Sequence, residues 1–185
     1  MSNRYAKIVV IVGVRGCGKT TFVRQLITDN QKSIVCTPHL YEWDDLPDND
    51  FETAQDFKFS GVQRHIIKYD YTLERLKLFS NGTIAFDDCI NFLPSNPKSF
   101  EGKDFMQFLI DGRHKSVDFI AVAHGITQIS PCFYPYVSDI IMFKTTDNLT
   151  LAKSKIQYFD ELQSLQNRVN KAAKNNIFYC ECLKL

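Results

Sequence analysis

The feature that most constrains the fold is a glycine-rich segment between an apolar run and an amphipathic one. It reads Gly13-Val-Arg-Gly-Cys-Gly-Lys-Thr20 and matches the pattern GxxxxGK[ST] in full. The β-branched run over 7–12 predicts a buried strand of a parallel sheet, and residues 20–28 predict a helix. Glycines let such a loop wrap closely, so that backbone N–H groups and the helix N-terminus meet phosphates. The segment therefore predicts a strand–loop–helix unit that binds a nucleoside triphosphate.

The same motif predicts a role for each polar side chain of the loop. Lys19 is expected to reach the β- and γ-phosphates, the Thr20 hydroxyl to ligate Mg²⁺, and the Thr21 hydroxyl to meet the α-phosphate. We expect ATP as the nucleotide, although the motif does not exclude GTP. The predicted nucleotide-binding residues are Gly13, Val14, Arg15, Gly16, Cys17, Gly18, Lys19, Thr20 and Thr21.

A second candidate site lies where an apolar strand ends in two acids, Ile84-Ala-Phe-Asp87-Asp88. In proteins with this phosphate-binding loop, the first such acid holds Mg²⁺ and an adjacent carboxylate polarises the attacking water. We therefore expect Asp87 to bind the metal and Asp88 to act as the base. Asp88 is one methylene shorter than the glutamate usual at this place. The alternative is that both acids simply begin a loop and cap a helix.

Strand-like and helix-like segments alternate along the chain. Predicted strands cover residues 7–12, 33–36, 64–69, 83–86, 118–123, 139–144 and 177–183, and predicted helices cover 20–28, 72–79, 103–114 and 150–175, the last broken near Gln157. The alternation predicts an α/β three-layer sandwich with a mainly parallel central sheet. We interpret the strand over 64–69 as an additional strand between the loop-bearing strand and the acidic strand. Such a RecA/ASCE-like order is typical of hydrolytic, motor-like proteins.

Length and charge limit the organisation of the molecule. With 185 residues we expect one ATPase domain over 1–185, with a core over about 7–150 and a helical segment and final strand over 150–185. The net charge of +1 excludes a global basic field for nucleic acid. No apolar run approaches the roughly 20 residues of a membrane helix, and no secretory leader is recognisable. These features predict an intracellular, cytoplasmic protein.

Two minor segments have structural interpretations. The acidic stretch over 41–55 contains Pro47 and no basic residue, so we expect a loop whose charges are solvated. Cys180 and Cys182 alternate on a predicted strand without a second cysteine pair, which favours two buried core thiols over a zinc site.

The segment Gly112-Arg-His-Lys-Ser-Val-Asp-Phe-Ile-Ala-Val-Ala-His124 resembles the FtsK–HerA superfamily of DNA-pumping ATPases. In that superfamily an arginine in a short turn precedes a strand that ends in a polar sensor side chain. The glycine-rich loop, the acidic strand, the arginine turn and the sensor follow here in the same order, over roughly 7–150. The compact chain is similar to the viral genome-packaging members and to related phage morphogenesis ATPases.

The resemblance implies further site residues. Arg113 would be an arginine finger that reaches the nucleotide of a neighbouring subunit, and His124 would be the sensor of the γ-phosphate. His124 departs from the amide usual in the family. The alternatives are that Arg113 only favours the dipole of its helix and that His124 is a structural histidine.

The resemblance also implies partners: a homo-oligomeric ring, double-stranded DNA and capsid proteins. Candidate DNA contacts are the aromatic residues Phe133, Tyr134 and Tyr136, whose alternative is core packing, and the mildly basic C-terminal helix region. A few basic residues repeated around a ring suffice to hold a phosphate backbone.

We therefore expect a Mg²⁺-dependent ATPase that translocates DNA, with a location in the host cytoplasm or at a capsid vertex. One alternative is a nucleoside or nucleotide kinase, which would need an arginine-rich lid. Another is a non-motor P-loop protein of phage morphogenesis.

Overall fold

A seven-stranded sheet organises the chain in the computed structural model, which describes residues 6–28, 32–67, 72–88, 92–154, 156 and 158–185. The strands are β1 (Ile8–Val12), β2 (Lys32–Thr37), β3 (Gly61–Ile66), β4 (Gly82–Asp87), β5 (Val117–Ala123), β6 (Asp139–Phe143) and β7 (Cys180–Lys184). The helices are α1 (Lys19–Thr28), α2 (Thr72–Leu76), α3 (Phe100–His114) and α4 (Phe159–Ala172), and four short 3₁₀ turns lie between them.

The order of the strands in the sheet is β3-β2-β4-β5-β1-β6-β7. All neighbouring strands pair in parallel except β6 and β7, which pair antiparallel. The carboxyl ends of β1, β2, β4 and β5 therefore meet at one edge of the sheet, where α/β proteins bind their ligands. The predicted three-layer P-loop fold with a mainly parallel sheet is confirmed.

The additional strand between β1 and β4 is β5, not the strand predicted over 64–69. That predicted segment belongs to β3, which ends at Ile66 and lies at the edge of the sheet beyond β2. Of its remainder, Ile67 is not part of the strand, and 68–69 lie outside the described residues. The expectation of an inserted strand was correct, but its place in the sequence was wrong, because chain order does not fix the order in a sheet.

The sheet is covered on both faces because its strands alternate between two apolar clusters. Ile8, Val10 and Val12 join one cluster, which also contains residues of α3 and α4. Ile11 packs in the other cluster, against residues of α1 such as Val23. Successive side chains of a strand point to opposite faces, so a continuous apolar run serves both layers.

The C-terminal region, predicted as a helix over 150–175 broken near Gln157, contains a 3₁₀ turn and a shorter α-helix. A 3₁₀ turn covers Leu149–Ala152, and α4 starts only after Tyr158, whose φ of 65° is left-handed and ends helical continuity. The predicted break at Gln157 lies outside the described residues. No helix within the described ranges is long and apolar enough to cross a bilayer.

The prediction of two buried thiols in the last strand was wrong. β7 is an edge strand with one neighbour, and Cys182 is exposed while Cys180 is half-buried. Within the described part of the chain, no group of three or more His, Cys, Asp or Glu side chains is placed to hold a metal ion.

Candidate nucleotide-binding site

A cavity of about 430 Å³ opens at the carboxyl edge of the sheet. Its floor is formed by the end of β5, and its walls by the segments that follow β1, β2 and β4. Two residues of the glycine-rich loop are fixed to neighbouring strands by backbone bonds. Gly13 N–H donates to the Ala123 carbonyl at 3.3 Å, and Val14 N–H donates to the Lys144 carbonyl at 2.8 Å. The loop is thereby held between β5 and β6.

Three glycines are required by the path of the loop. A Cβ at Gly13 would lie 2.6 Å from Cβ of Phe143 and 2.7 Å from Sγ of Cys17, so only glycine fits. Gly16 and Gly18 have φ values of 78° and 95°, which side chains disfavour. The loop therefore exposes its backbone N–H groups at the N-terminus of α1, the arrangement that receives an anion.

Lys19 lies almost buried beneath this loop, with 9% of its surface exposed. Its Nζ donates to the carbonyls of Gly13 at 2.7 Å and Val14 at 3.0 Å, so the ammonium group is held across the loop. Thr20 and Thr21 line the same cavity. A cation, two hydroxyls and a helix N-terminus thus converge on one space, and this set suits a polyphosphate.

Asp87 ends β4 inside the cavity and is 4% exposed. Its Oδ2 accepts a hydrogen bond from Nε1 of Trp43 at 2.7 Å. Burial raises the pKa of the Asp87 carboxyl, and the nearby charges of Glu42 and Asp88 act in the same direction, whereas the Trp43 bond and Lys19 oppose the rise. A cation bound at Asp87 would therefore relieve an unfavourable buried charge.

Asp88 lies between two histidines at the mouth of the cavity. Its Oδ2 is 3.1 Å from Nε2 of His39 and 3.8 Å from Nε2 of His124. Its N–H donates to the Val122 carbonyl at 3.3 Å, and its φ of 54° turns the chain sharply at the strand end. Asp88 and His124, far apart in sequence, are thus brought together as expected. The structure adds His39.

Arg113 is not brought into the cavity of its own chain. It is exposed at the end of α3, beside the amino end of β5, whereas the cavity lies at the carboxyl end, roughly 20 Å away along the strand. Its Nη2 donates to the Tyr136 carbonyl at 3.1 Å, and the guanidinium carbon lies 5.7 Å from the Tyr136 ring centroid.

Four polar or aromatic residues that line or support the cavity were not predicted from the sequence: His39, Glu42, Trp43 and Phe178. His39 comes two residues after β2, and the rule that ligands bind at the carboxyl ends of parallel strands offers a signal for it. No local pattern indicates Phe178, which reaches the cavity from the chain segment before β7.

The acidic loop is more ordered than a solvated linker. Its carboxylates are exposed as expected, but Trp43 within it is buried. Arg64 ties the loop to β3, because its guanidinium bonds Asp48 at 2.6 Å and donates to the carbonyls of Leu40 and Glu42 at 3.0 and 2.9 Å. The loop therefore carries Trp43 to Asp87.

Of the three aromatic residues considered for DNA, Phe133 is fully buried in the core. The Tyr134 hydroxyl donates to the Ile126 carbonyl, and Tyr134 is only partly exposed. Core packing, the alternative interpretation, therefore applies to Phe133.

A mainly parallel sheet, a glycine-rich loop before α1 and acids at the end of β4 together define the P-loop NTPase fold. Residues 5–95 match the AAA domain family AAA_14. No curated protein matches the sequence significantly.

Solved structures extend this likeness over nearly the whole chain. The genome packaging NTPase B204 from Sulfolobus turreted icosahedral virus 2, in complex with AMP, has a TM-score of 0.72 and 16% identity, and the match covers 98% of this chain and 94% of that one. The DNA-packaging ATPase B204 from Sulfolobus turreted icosahedral virus has a TM-score of 0.67 and 15% identity, and the match covers 98% of this chain and 94% of that one. The N-terminal domain of zonular occludens toxin from Neisseria meningitidis has a TM-score of 0.51 and 15% identity, with 98% of this chain and 95% of that one covered. The predicted resemblance to compact viral packaging ATPases is confirmed, as a likeness of fold.

Proposed function

We propose that the chain is a Mg²⁺-dependent ATPase that works as a DNA-translocating motor subunit and packages a viral genome into a preformed capsid. The observation that carries the proposal is the convergence of Lys19, Asp87 and Asp88 on one cavity at the P-loop. A buried cation, a buried acid and a more exposed acid are the three groups that hydrolysis of a phosphoanhydride needs. The likeness to the B204 packaging proteins over 98% of the chain supports the motor assignment.

The residues present fit a magnesium nucleotide. Mg²⁺ takes hard oxygen ligands and commonly uses one or two carboxylates together with substrate phosphates and water. The Asp87 carboxylate and the Thr20 hydroxyl line the cavity beside the phosphate-binding loop, and the raised pKa of Asp87 indicates a carboxylate that a cation would stabilise. We assign the metal to these two residues. When bound, Mg²⁺ would neutralise charge on the β- and γ-phosphate oxygens.

Hydrolysis would then use the side chains as follows. Lys19 gives up its bonds to two loop carbonyls and donates to the β- and γ-phosphate oxygens instead. Asp88 accepts a proton from the attacking water, and His39 and His124 hold its carboxylate toward the cavity. His124 is also the sensor in this proposal, since it lines the cavity beside Asp88. The backbone N–H groups of the loop and Thr21 bind the remaining phosphate oxygens.

The assembly is proposed to be a ring in which each active site is shared. Arg113 lies far from its own cavity and is exposed, and in the ring its guanidinium would leave the Tyr136 carbonyl and enter the cavity of a neighbour. With a net charge of +1, DNA would be held by a few basic residues repeated around the ring. We further propose that residues 1–185 act as one ATPase domain in the host cytoplasm or at the capsid vertex.

Steady-state ATP hydrolysis, measured against protein concentration with and without double-stranded DNA, tests the proposal. The expected result is a specific activity that rises steeply with concentration and again with DNA, and that Lys19→Ala reduces by a factor of at least about 10². A specific activity that changes neither with protein concentration nor with added DNA would overturn the motor assignment. Phosphate transfer to a nucleoside acceptor would favour a kinase instead.

A further inference from the structure

One exposed phenylalanine lines the nucleotide cavity within the described part of the chain. Of the 15 phenylalanines, all in the described residues, only Phe100 and Phe178 are exposed, and only Phe178 lines the cavity. The exposed fraction of Phe178 is 62%. Its ring rests on the phosphate-binding loop, because a Cβ built on Gly18 would lie 3.1 Å from Cδ1 of Phe178. An apolar ring left open to water beside a ligand cavity indicates a contact that the ligand completes.

The backbone that carries the Phe178 ring is fixed by hydrogen bonds. Phe178 N–H donates to Oδ1 of Asn176 at 3.1 Å, and Tyr179 N–H donates to the Asn176 carbonyl at 3.0 Å, so residues 176–179 form a turn. The chain continues directly into β7, which pairs antiparallel with β6, the neighbour of β1. The turn is therefore fixed relative to the phosphate-binding loop.

The order in which a P-loop binds its phosphates indicates where the base of a nucleotide would follow. The γ-phosphate end lies toward Asp88 and His124, while the α-phosphate end lies toward Thr21, by the order in which a P-loop binds its phosphates. The ribose and base follow the α-phosphate. Phe178 contacts Gly18, which precedes Lys19 in the loop, so its ring stands beside the phosphate-binding loop.

We propose that Phe178 is the nucleobase-binding residue of this site and holds the base by stacking on its ring. The inference rests on the proposed nucleotide function and adds a residue to it. Base–aromatic stacking contributes substantially to binding and requires no specific hydrogen-bond pattern. The larger purines should therefore bind better than pyrimidines, with little distinction between adenine and guanine from this contact.

Binding of ATP and of inorganic triphosphate, compared by calorimetry, separates the base from the phosphates. Phe178→Ala should weaken ATP binding roughly ten-fold or more and leave triphosphate binding unchanged, and Phe178→Trp should restore ATP binding. Phe100→Ala removes the other exposed phenylalanine, which does not line the cavity, and should change neither affinity.

Each other outcome has a distinct meaning. Unchanged ATP binding by Phe178→Ala would overturn the assignment, and equal weakening of both ligands would show that the ring supports the loop and does not bind the base. If the unaltered chain bound neither ligand, the nucleotide site itself would fail, and Phe178 with it. Loss of binding only in Lys19→Ala would leave the site standing and reject Phe178 alone.

Discussion

At the scale of single residues, Asp87 shows a conflict between stability and function. Burial raises the pKa of the Asp87 carboxyl above its ordinary value, so the folded chain disfavours the ionised form that a metal would need. The Trp43 bond only partly offsets this cost. Without a bound metal, the folded chain is therefore less stable with the buried charge than it would be with an uncharged side chain at the same position.

Asp87→Asn should therefore raise the melting temperature of the metal-free chain by about 2–4 °C at pH 8 while abolishing ATP hydrolysis. The amide keeps an oxygen for Trp43 and carries no charge. Because the folded pKa is raised, the cost is absent below the ordinary aspartate pKa of about 4 and complete above the folded pKa, so the advantage should shrink as the pH falls. Calorimetric melting with a chelator measures it. A lower melting temperature for the variant at pH 8 would contradict this account.

At the scale of elements, the acidic loop depends on one arginine from β3. Arg64 is 7% exposed and bonds both oxygens of Asp48 as well as two backbone carbonyls. Without it, these carbonyls lose their partner, and the loop that carries Trp43 loses its attachment to the sheet.

Arg64→Ala should lower the melting temperature by roughly 4–8 °C and also weaken ATP hydrolysis, because Trp43 no longer supports Asp87. Asp45→Asn is the matched control on the same loop, since it disrupts an exposed ion pair between Asp45 and Arg24 of α1. That change should alter the melting temperature by less than about 2 °C. An equal change in melting temperature for the two variants would show that the Arg64 bonds stabilise the loop no more than the exposed ion pair does.

What the sequence predicted at this scale depends on how local each signal is. The P-loop and the acidic strand are each a contiguous sequence pattern. The positions of Lys19, Asp87 and Asp88 at the nucleotide site could therefore be predicted. The position of β5 between β1 and β4 is a non-local pairing that no local pattern encodes. His39 and Phe178 reach the cavity from other elements, and only the folded sheet brings them there.

At the scale of the whole molecule, the proposed shared site makes a prediction about mixtures. Arg113→Ala and Lys19→Ala should each be almost inactive, whereas an equimolar mixture should recover about a quarter of the original activity. If the two variants mix at random in a head-to-tail ring, about one interface in four joins the intact loop of an Arg113→Ala subunit to the intact arginine of a Lys19→Ala subunit. ATP hydrolysis after mixing measures the recovery, and His114→Ala, the exposed neighbour of Arg113, should remain active. Full activity of Arg113→Ala would show that Arg113 serves only its helix.

The seven residues of β5 connect two distant points of the molecule. Arg113 lies just before the strand, and His124 lies just after it, beside Asp88. The strand is hydrogen-bonded on both sides, to β1 and β4, so we expect it to move as a rigid element. In the proposed ring, a small shift of β5 at the phosphate end would also move Arg113 and so reach the cavity of the next subunit. The nucleotide state of one cavity would then affect the arginine that the subunit presents to its neighbour.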